Sequence, residues 1–279
     1  MSGNSIFVKI CSLDDTELIT TIDDAIMKSS GENRLHFGIY LIYKDTKTLR
    51  TFVGNLKRWK MFNDAEFTVR TVKYHKELLG VGQARNVVDN LYDGQKYVLQ
   101  IDSHSWFPWQ WDTTLIDLIK YHSSKTILTG YAGPYQYSGL VDRRPIGLGK
   151  LQLKVPTKDR LFCEWMDNWY TIYPKEETPY IKTDFCANFA FGTHKWGEYS
   201  GVDPQSIFYS EEPIQTKNLK NKGFRLLYPN IDEPLICHLY TQDIRKKGTR
   251  KNFTDYISYE EADYLMNFVD RNVYCENFT

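Results

Sequence analysis

With 279 residues, and 35 lysines plus arginines against 35 aspartates plus glutamates, the chain can form one sizeable domain and carries no global charge to draw it to nucleic acid or an anionic membrane. Hydrophobic residues at 42% and charged residues at 25% exclude pervasive disorder. Five scattered cysteines with no CxxC pair suggest neither a disulfide framework nor a zinc knuckle, and without a leader-like start or an apolar run near ~18 residues the expected setting is cytoplasmic.

The run Ile6 to Ile10 is rich in β-formers and predicts a first strand, after which Ser12 or Asp14 is expected to cap a helix. Leu35 to Tyr43 reads as a buried second strand and Phe67 to Val72 as a shorter third, with residues 44–66 between them polar and irregular. Gly80 and Gly82 precede a helix carrying Val87, Val88 and Leu91, which Asp93-Gly94 is expected to end. Tyr97 to Ile101 is a nearly continuous apolar run, the mark of a strand covered on both faces, and Asp102 stands at its C-terminal end.

A helix over Trp111 to His122 and a strand over Lys125 to Gly130 complete the first half. The second half is less regular and ends in a helix expected within SYEEADYLMNFVDRN. Alternating strands and helices predict an α/β fold with a mainly parallel, Rossmann-like sheet flanked by helices, which binds ligands at the carboxyl ends of its strands. No repeat or linker marks a boundary, so one domain over 1–279 is expected, with 1–130 as its nucleotide-binding half and 131–279 as a less regular half, the acceptor half if the chain is a transferase.

Asp102 and His104 are two apart, so on extended backbone both side chains point the same way and can chelate one cation. A carboxylate with an imidazole suits Mn²⁺, with Mg²⁺ as the alternative. Taken alone, the triplet equally describes a strand-ending aspartate beside an incidental histidine. Its position after a Gly-rich helix start bearing Arg85 favours a diphosphate-metal site, where a cation and a guanidinium balance the charge of a leaving phosphate.

The stretch GQARNVVDNLYDGQKYVLQIDSHSWFPWQWD resembles the core of the polypeptide N-acetylglucosaminyltransferase family that includes the Skp1 hydroxyproline-modifying enzymes. It is more distantly similar to the polypeptide N-acetylgalactosaminyltransferases. IFVKICSLDDTELITTIDDAI, TDFCANFAFG, DPQSIFYSEEPIQTKNLKNKGFRLLYPN and PLICHLY resemble further segments of that family in the expected order.

The resemblance implies a GT-A glycosyltransferase that uses a UDP-sugar, most readily UDP-GlcNAc, and retains configuration. It implies Asp102, His104 and His238 as ligands of Mn²⁺, Asp14 and Arg85 beside the donor nucleotide, Asn188 facing the donor sugar, and Glu211 and Glu212 at the reacting centre. A protein hydroxyl is the implied acceptor, with a glycan or a hydroxylated nucleobase as alternatives.

Without the resemblance, His238 reads as a core histidine, Glu211-Glu212 as the acidic first turn of a helix, Arg85 as a solvated helix residue and Asp14 as a cap. A proline directly after the two glutamates and the tryptophans Trp106, Trp109 and Trp111 depart from the family pattern and bear on the acceptor. The basic stretch Arg245 to Lys251 could clamp phosphates or form a solvated loop. Competing classes are a metal-dependent hydrolase, which the absence of HExxH and His-x-His disfavours, and a catalytically silent sugar-nucleotide-binding module.

Overall fold

The computed structural model describes residues 4–62, 64–75, 78, 80–135, 179–206, 211–231 and 234–239. The helix expected within SYEEADYLMNFVDRN and the basic stretch Arg245 to Lys251 lie outside the described residues.

In chain order the elements begin with β1 (Ser5–Leu13), α1 (Leu18–Lys28), β2 (Arg34–Tyr43), α2 (Thr46–Phe62), β3 (Glu66–Lys73) and α3 (Val81–Asp89). Then follow β4 (Tyr97–Asp102), β5 (Ser105–Trp106), α4 (Trp111–Ile119), β6 (Thr126–Thr129), β7 (Gly133–Pro134) and β8 (Tyr180–Lys182). The last described elements are β9 (Phe189–Thr193), α5 (His194–Tyr199), α6 (Glu211–Asn221), β10 (Arg225–Pro229) and β11 (Cys237–His238).

Eight strands form one sheet in the order β3-β2-β1-β4-β9-β6-β10-β8. β3, β2, β1 and β4 are mutually parallel, as are β6 and β10, while β9 runs antiparallel between β4 and β6. The chain moves outward from β1 to β2 and β3, then returns to place β4 on the other side of β1. This reversal makes the carboxyl ends of β1 and β4 the crevice where an open α/β sheet receives its ligand.

β1 is buried on both faces, and its alternation assigns each face a partner. Ile6, Val8 and Ile10 pack with Leu18 and Ile22 of α1, and Phe7 packs with Ala84 and Val88 of α3. Helices therefore cover both faces, as near-continuous apolar strands require.

Residues 44–66 are not irregular: α2 occupies most of the segment. Leu49, Phe52, Leu56 and Trp59 recur at steps of three and four, so one narrow stripe of an otherwise polar helix faces the core. Phe52 and Trp59 are buried, and Trp59 stacks on Phe67 with ring centroids 5.4 Å apart.

The expected caps of α1 are also corrected. Ser12 lies inside β1, Asp14 takes a left-handed turn with φ 48°, and the helix starts only at Leu18. α3 closes at Asp89, before Asp93-Gly94, whose glycine instead turns the chain into β4 with φ 78°.

A second sheet of three short strands, β5-β11-β7, stands beside the end of β4. β11 pairs antiparallel with β5, placing His238 opposite Ser105, and Leu239 N donates to His104 O at 3.1 Å. Backbone pairing thus carries a segment of the second half to the residues just after β4.

Candidate active site

Asp102 ends β4, and the chain stays extended into β5, so Asp102 and His104 share one side as the spacing predicts. His238 arrives on β11. Its Nε2 is 2.9 Å from His104 Nε2 and 3.0 Å from Asp102 Oδ2, while His104 Nε2 is 3.8 Å from Asp102 Oδ2. One donor atom from each of the three residues lies within 4.8 Å of the others, a group that could hold a metal ion.

The donor set tests well against a divalent cation. Adjacent ligands of a six-coordinate ion with bonds of about 2.1 Å lie about 3 Å apart, close to the two short separations here. One carboxylate with two imidazoles matches an ion of intermediate hardness such as Mn²⁺ and lacks the thiolates of a structural zinc site. Burial works against the Asp102 charge, but the hydrogen bond from His238 and the Arg85 guanidinium hold its carboxyl well below the usual range. It is an anion ready to bind.

Arg85, expected beside the donor, braces the site's own residues in the structure. Only 3% exposed, it donates from Nε to Glu211 Oε1 at 3.0 Å and from Nη2 to Asp102 Oδ1 at 2.8 Å. Nη1 donates to Ile101 O at 3.2 Å, and Nη2 also reaches Ala187 O at 3.3 Å. The fork joins the end of β4, the start of α6 and the loop before β9, and is spent on protein atoms.

Glu211 is buried against Arg85, whereas Glu212 is half-buried and accepts from Ala187 N at 2.8 Å. Burial pushes Glu212 up to about 8, with the neighbouring Glu211 charge adding to the effect. Burial raises Glu211 as well, but the Arg85 guanidinium opposes that shift, so Glu211 serves as the ion-pair anchor.

Asn188 is buried on the loop before β9, where its Oδ1 accepts from Ala132 N and from Cys186 Sγ, both at 3.3 Å. Asp14 accepts from Lys44 N at 3.2 Å and Thr48 Oγ1 at 2.9 Å, which ties the end of β1 to the start of α2. The loop residue that reaches the cluster is its neighbour. Asp15 Oδ2 accepts from His104 Nδ1 at 2.7 Å and from Ser103 Oγ at 2.8 Å.

Sequence reasoning missed Asp15. Its signal was position, two residues past the strand beside β4, because Cys11 pairs with Asp102 and the two chain ends emerge together. Of the tryptophans, Trp111 is core and donates to Ala25 O, Trp106 lies 3.4 Å beneath the Lys28 ammonium, and Trp109 is 67% exposed.

A parallel sheet reversing beside β1, with an Asp-x-His pair at the end of β4 and a histidine from the second half, defines a glycosyltransferase of the GT-A type. Similarity to solved structures bears out the fold. The chain superposes on GalNAc-T7 with UDP, GalNAc and Mn²⁺ at a TM-score of 0.57 and 14% identity, covering 95% of this chain and 50% of that one. For the mannosyltransferase PcManGT from Pyrobaculum calidifontis in complex with GDP-Man and Mn²⁺, the TM-score is 0.52 and identity 12%, over 86% and 57%. For S. aureus TarS residues 1–349 with UDP-GlcNAc, the values are 0.51 and 13%, over 85% and 59%. The chain thus spans between half and about three-fifths of the lengths of these proteins.

No curated protein matches the chain by sequence. The family described as Glycosyltransferase (GlcNAc) matches residues 44–275, most of the chain, and the protein belongs to that family.

Proposed function

We propose that this chain is a Mn²⁺-dependent transferase that moves GlcNAc from UDP-GlcNAc to an acceptor hydroxyl, with retention at the anomeric carbon. The convergence of Asp102, His104 and His238 at the switch-point strand carries this reading. Family membership supports the sugar, and the UDP, UDP-GlcNAc and Mn²⁺ in the similar structures support the nucleotide and the ion. The whole chain acts as one catalytic domain, 1–279, and the sequence resemblance favours a protein hydroxyl, as in the Skp1 hydroxyproline-modifying enzymes, as the acceptor. The free thiols Cys11, Cys186 and Cys237 accord with a reducing, cytoplasmic setting.

When bound, the cation supplies positive charge to the departing diphosphate. Asp102, His104 and His238 would hold it, and Arg85 locks Asp102 in place while its own charge remains beside the site. Glu212 is the carboxyl placed to meet a sugar or acceptor hydroxyl. Arg85 holds the Glu211 carboxylate, and burial raises Glu212 to about 8. Retention follows if the acceptor attacks from the face that the phosphate leaves, with a phosphate oxygen taking its proton.

UDP release from a panel of UDP-sugars with Mn²⁺, run beside Asp102→Ala, tests the reading. UDP-GlcNAc should be turned over most rapidly and the variant should be inert. Release from no donor, or equal release by the variant, contradicts it. A small anomeric proton coupling in the product marks the α-linkage, and a large one contradicts retention.

A further inference from the structure

Asp15 stands two residues beyond β1 on the loop leading into α1. Its side chain is 15% exposed, and three groups converge on its carboxylate. Glu17 N donates to Oδ1 at 2.9 Å, while Ser103 Oγ and His104 Nδ1 donate to Oδ2 at 2.8 and 2.7 Å. The next turn of α1 adds Thr21, whose Oγ1 lies 2.9 Å from Ser103 O and 3.1 Å from Ser105 O, and accepts from Ser105 N at 3.0 Å. Backbone on both sides of His104 is thereby pinned to α1, and what is left free is the rotation and tautomer of the imidazole.

We propose that Asp15 is the positioning residue of His104, fixing its ring as the Nδ1–H tautomer so that the Nε2 lone pair faces Asp102 and His238. A carboxylate can only accept, so the contact at Nδ1 requires the proton there. Nε2 then carries no proton, and the proton is on His238 Nε2, which lies 2.9 Å from His104 Nε2 and 3.0 Å from Asp102 Oδ2. A carboxylate behind a ligating histidine raises its basicity and sets its angle. The inference rests on reading the three-residue cluster as a cation site.

Two measurements on the full chain test it. Nitrogen-15 NMR of metal-free protein labelled at histidine, with His104 assigned by its loss in His104→Gln, should show His104 as Nδ1–H in the wild type and a shift towards Nε2–H in Asp15→Ala. Mn²⁺ binding, followed by the EPR signal of the free ion, should weaken about 10- to 100-fold in Asp15→Ala. Asp15→Asn, which keeps an acceptor oxygen and serves if alanine fails to fold, should fall between the two.

A wild-type His104 in the Nε2–H form, or Mn²⁺ affinity within twofold of wild type in a folded Asp15→Ala, overturns the inference. A wild type that holds the Nδ1–H form but binds no Mn²⁺ overturns the metal reading of the cluster and upholds the Asp15–His104 relationship.

Discussion

His238 Nε2 lies 2.9 Å from His104 Nε2, although 134 positions separate the two residues. What joins them is backbone: β11 pairs with β5, and β5 begins at the residue after His104. The site is therefore as stable as that pairing. His238→Ala should lower turnover of UDP-GlcNAc by more than ~100-fold, because two donors from one short loop hold a divalent ion far less well than three. Steady-state kinetics with circular dichroism will check this; loss of less than tenfold in a folded variant would show that His238 is dispensable.

Arg85 should prove to be a stability residue first. Arg85→Met leaves the buried Glu211 carboxylate without its ion-pair partner and deprives Asp102 of another, at a cost of about 3–5 kcal/mol. Arg85→Lys should recover only part of this, since one ammonium cannot reproduce the fork that spans Glu211 and Asp102. Urea unfolding of both variants measures it, and a loss under 1 kcal/mol for methionine would deny the brace.

Much of the fold was legible because its strands are unusually plain. Tyr97 to Ile101 and Leu35 to Tyr43 are nearly unbroken apolar runs, and a strand buried on both faces has no other appearance. α2 was hidden because only one narrow stripe of it is apolar, diluted by lysines and threonines, so the segment reads as polar although its buried residues keep helical spacing.

In the site, Asp102 and His104 were legible from a strand end. The ion pair of Arg85 was not, because sequence does not show that Glu211, 126 positions away, folds back onto it. Asp14 and Asp15 are chemically identical neighbours; a positive φ at Asp14 turns the first towards α2, while the second reaches the cluster, and no local pattern distinguishes them.

Glu212 gives a pH prediction with a definite sign. Its native value of about 8 lies above the ordinary 4.5, so between those values the native state holds a proton that the unfolded chain has lost. This contribution is full below about pH 4.5 and is lost as pH rises through about 8, with a slope of at most about 1.4 kcal/mol per pH unit. Urea midpoints of metal-free protein should decline from pH 5 to 8 in the wild type and decline less in Glu212→Gln. Equal slopes would mean that the native carboxyl is already ionised.

Trp59 tests the helix that the sequence concealed. It is buried, stacks on Phe67, and donates from Nε1 to Asp23 Oδ1 at 2.6 Å, so it ties α2 to both the sheet and α1. Trp59→Ala should cost about 3–5 kcal/mol, and Trp59→Phe distinctly less, because one aromatic ring still packs while the hydrogen bond and part of the indole's volume are lost. A change within 1 kcal/mol for alanine by urea unfolding would place the residue outside the core.

The central claim is that residues 102, 104 and 238 hold one ion. Pulsed EPR of Mn²⁺ bound to the protein with UDP detects nitrogen nuclei coupled to the ion and so counts coordinating imidazoles. The wild type should show two, and His104→Ala and His238→Ala one each. A spectrum without histidine nitrogen coupling, or one unchanged by either substitution, would contradict the account.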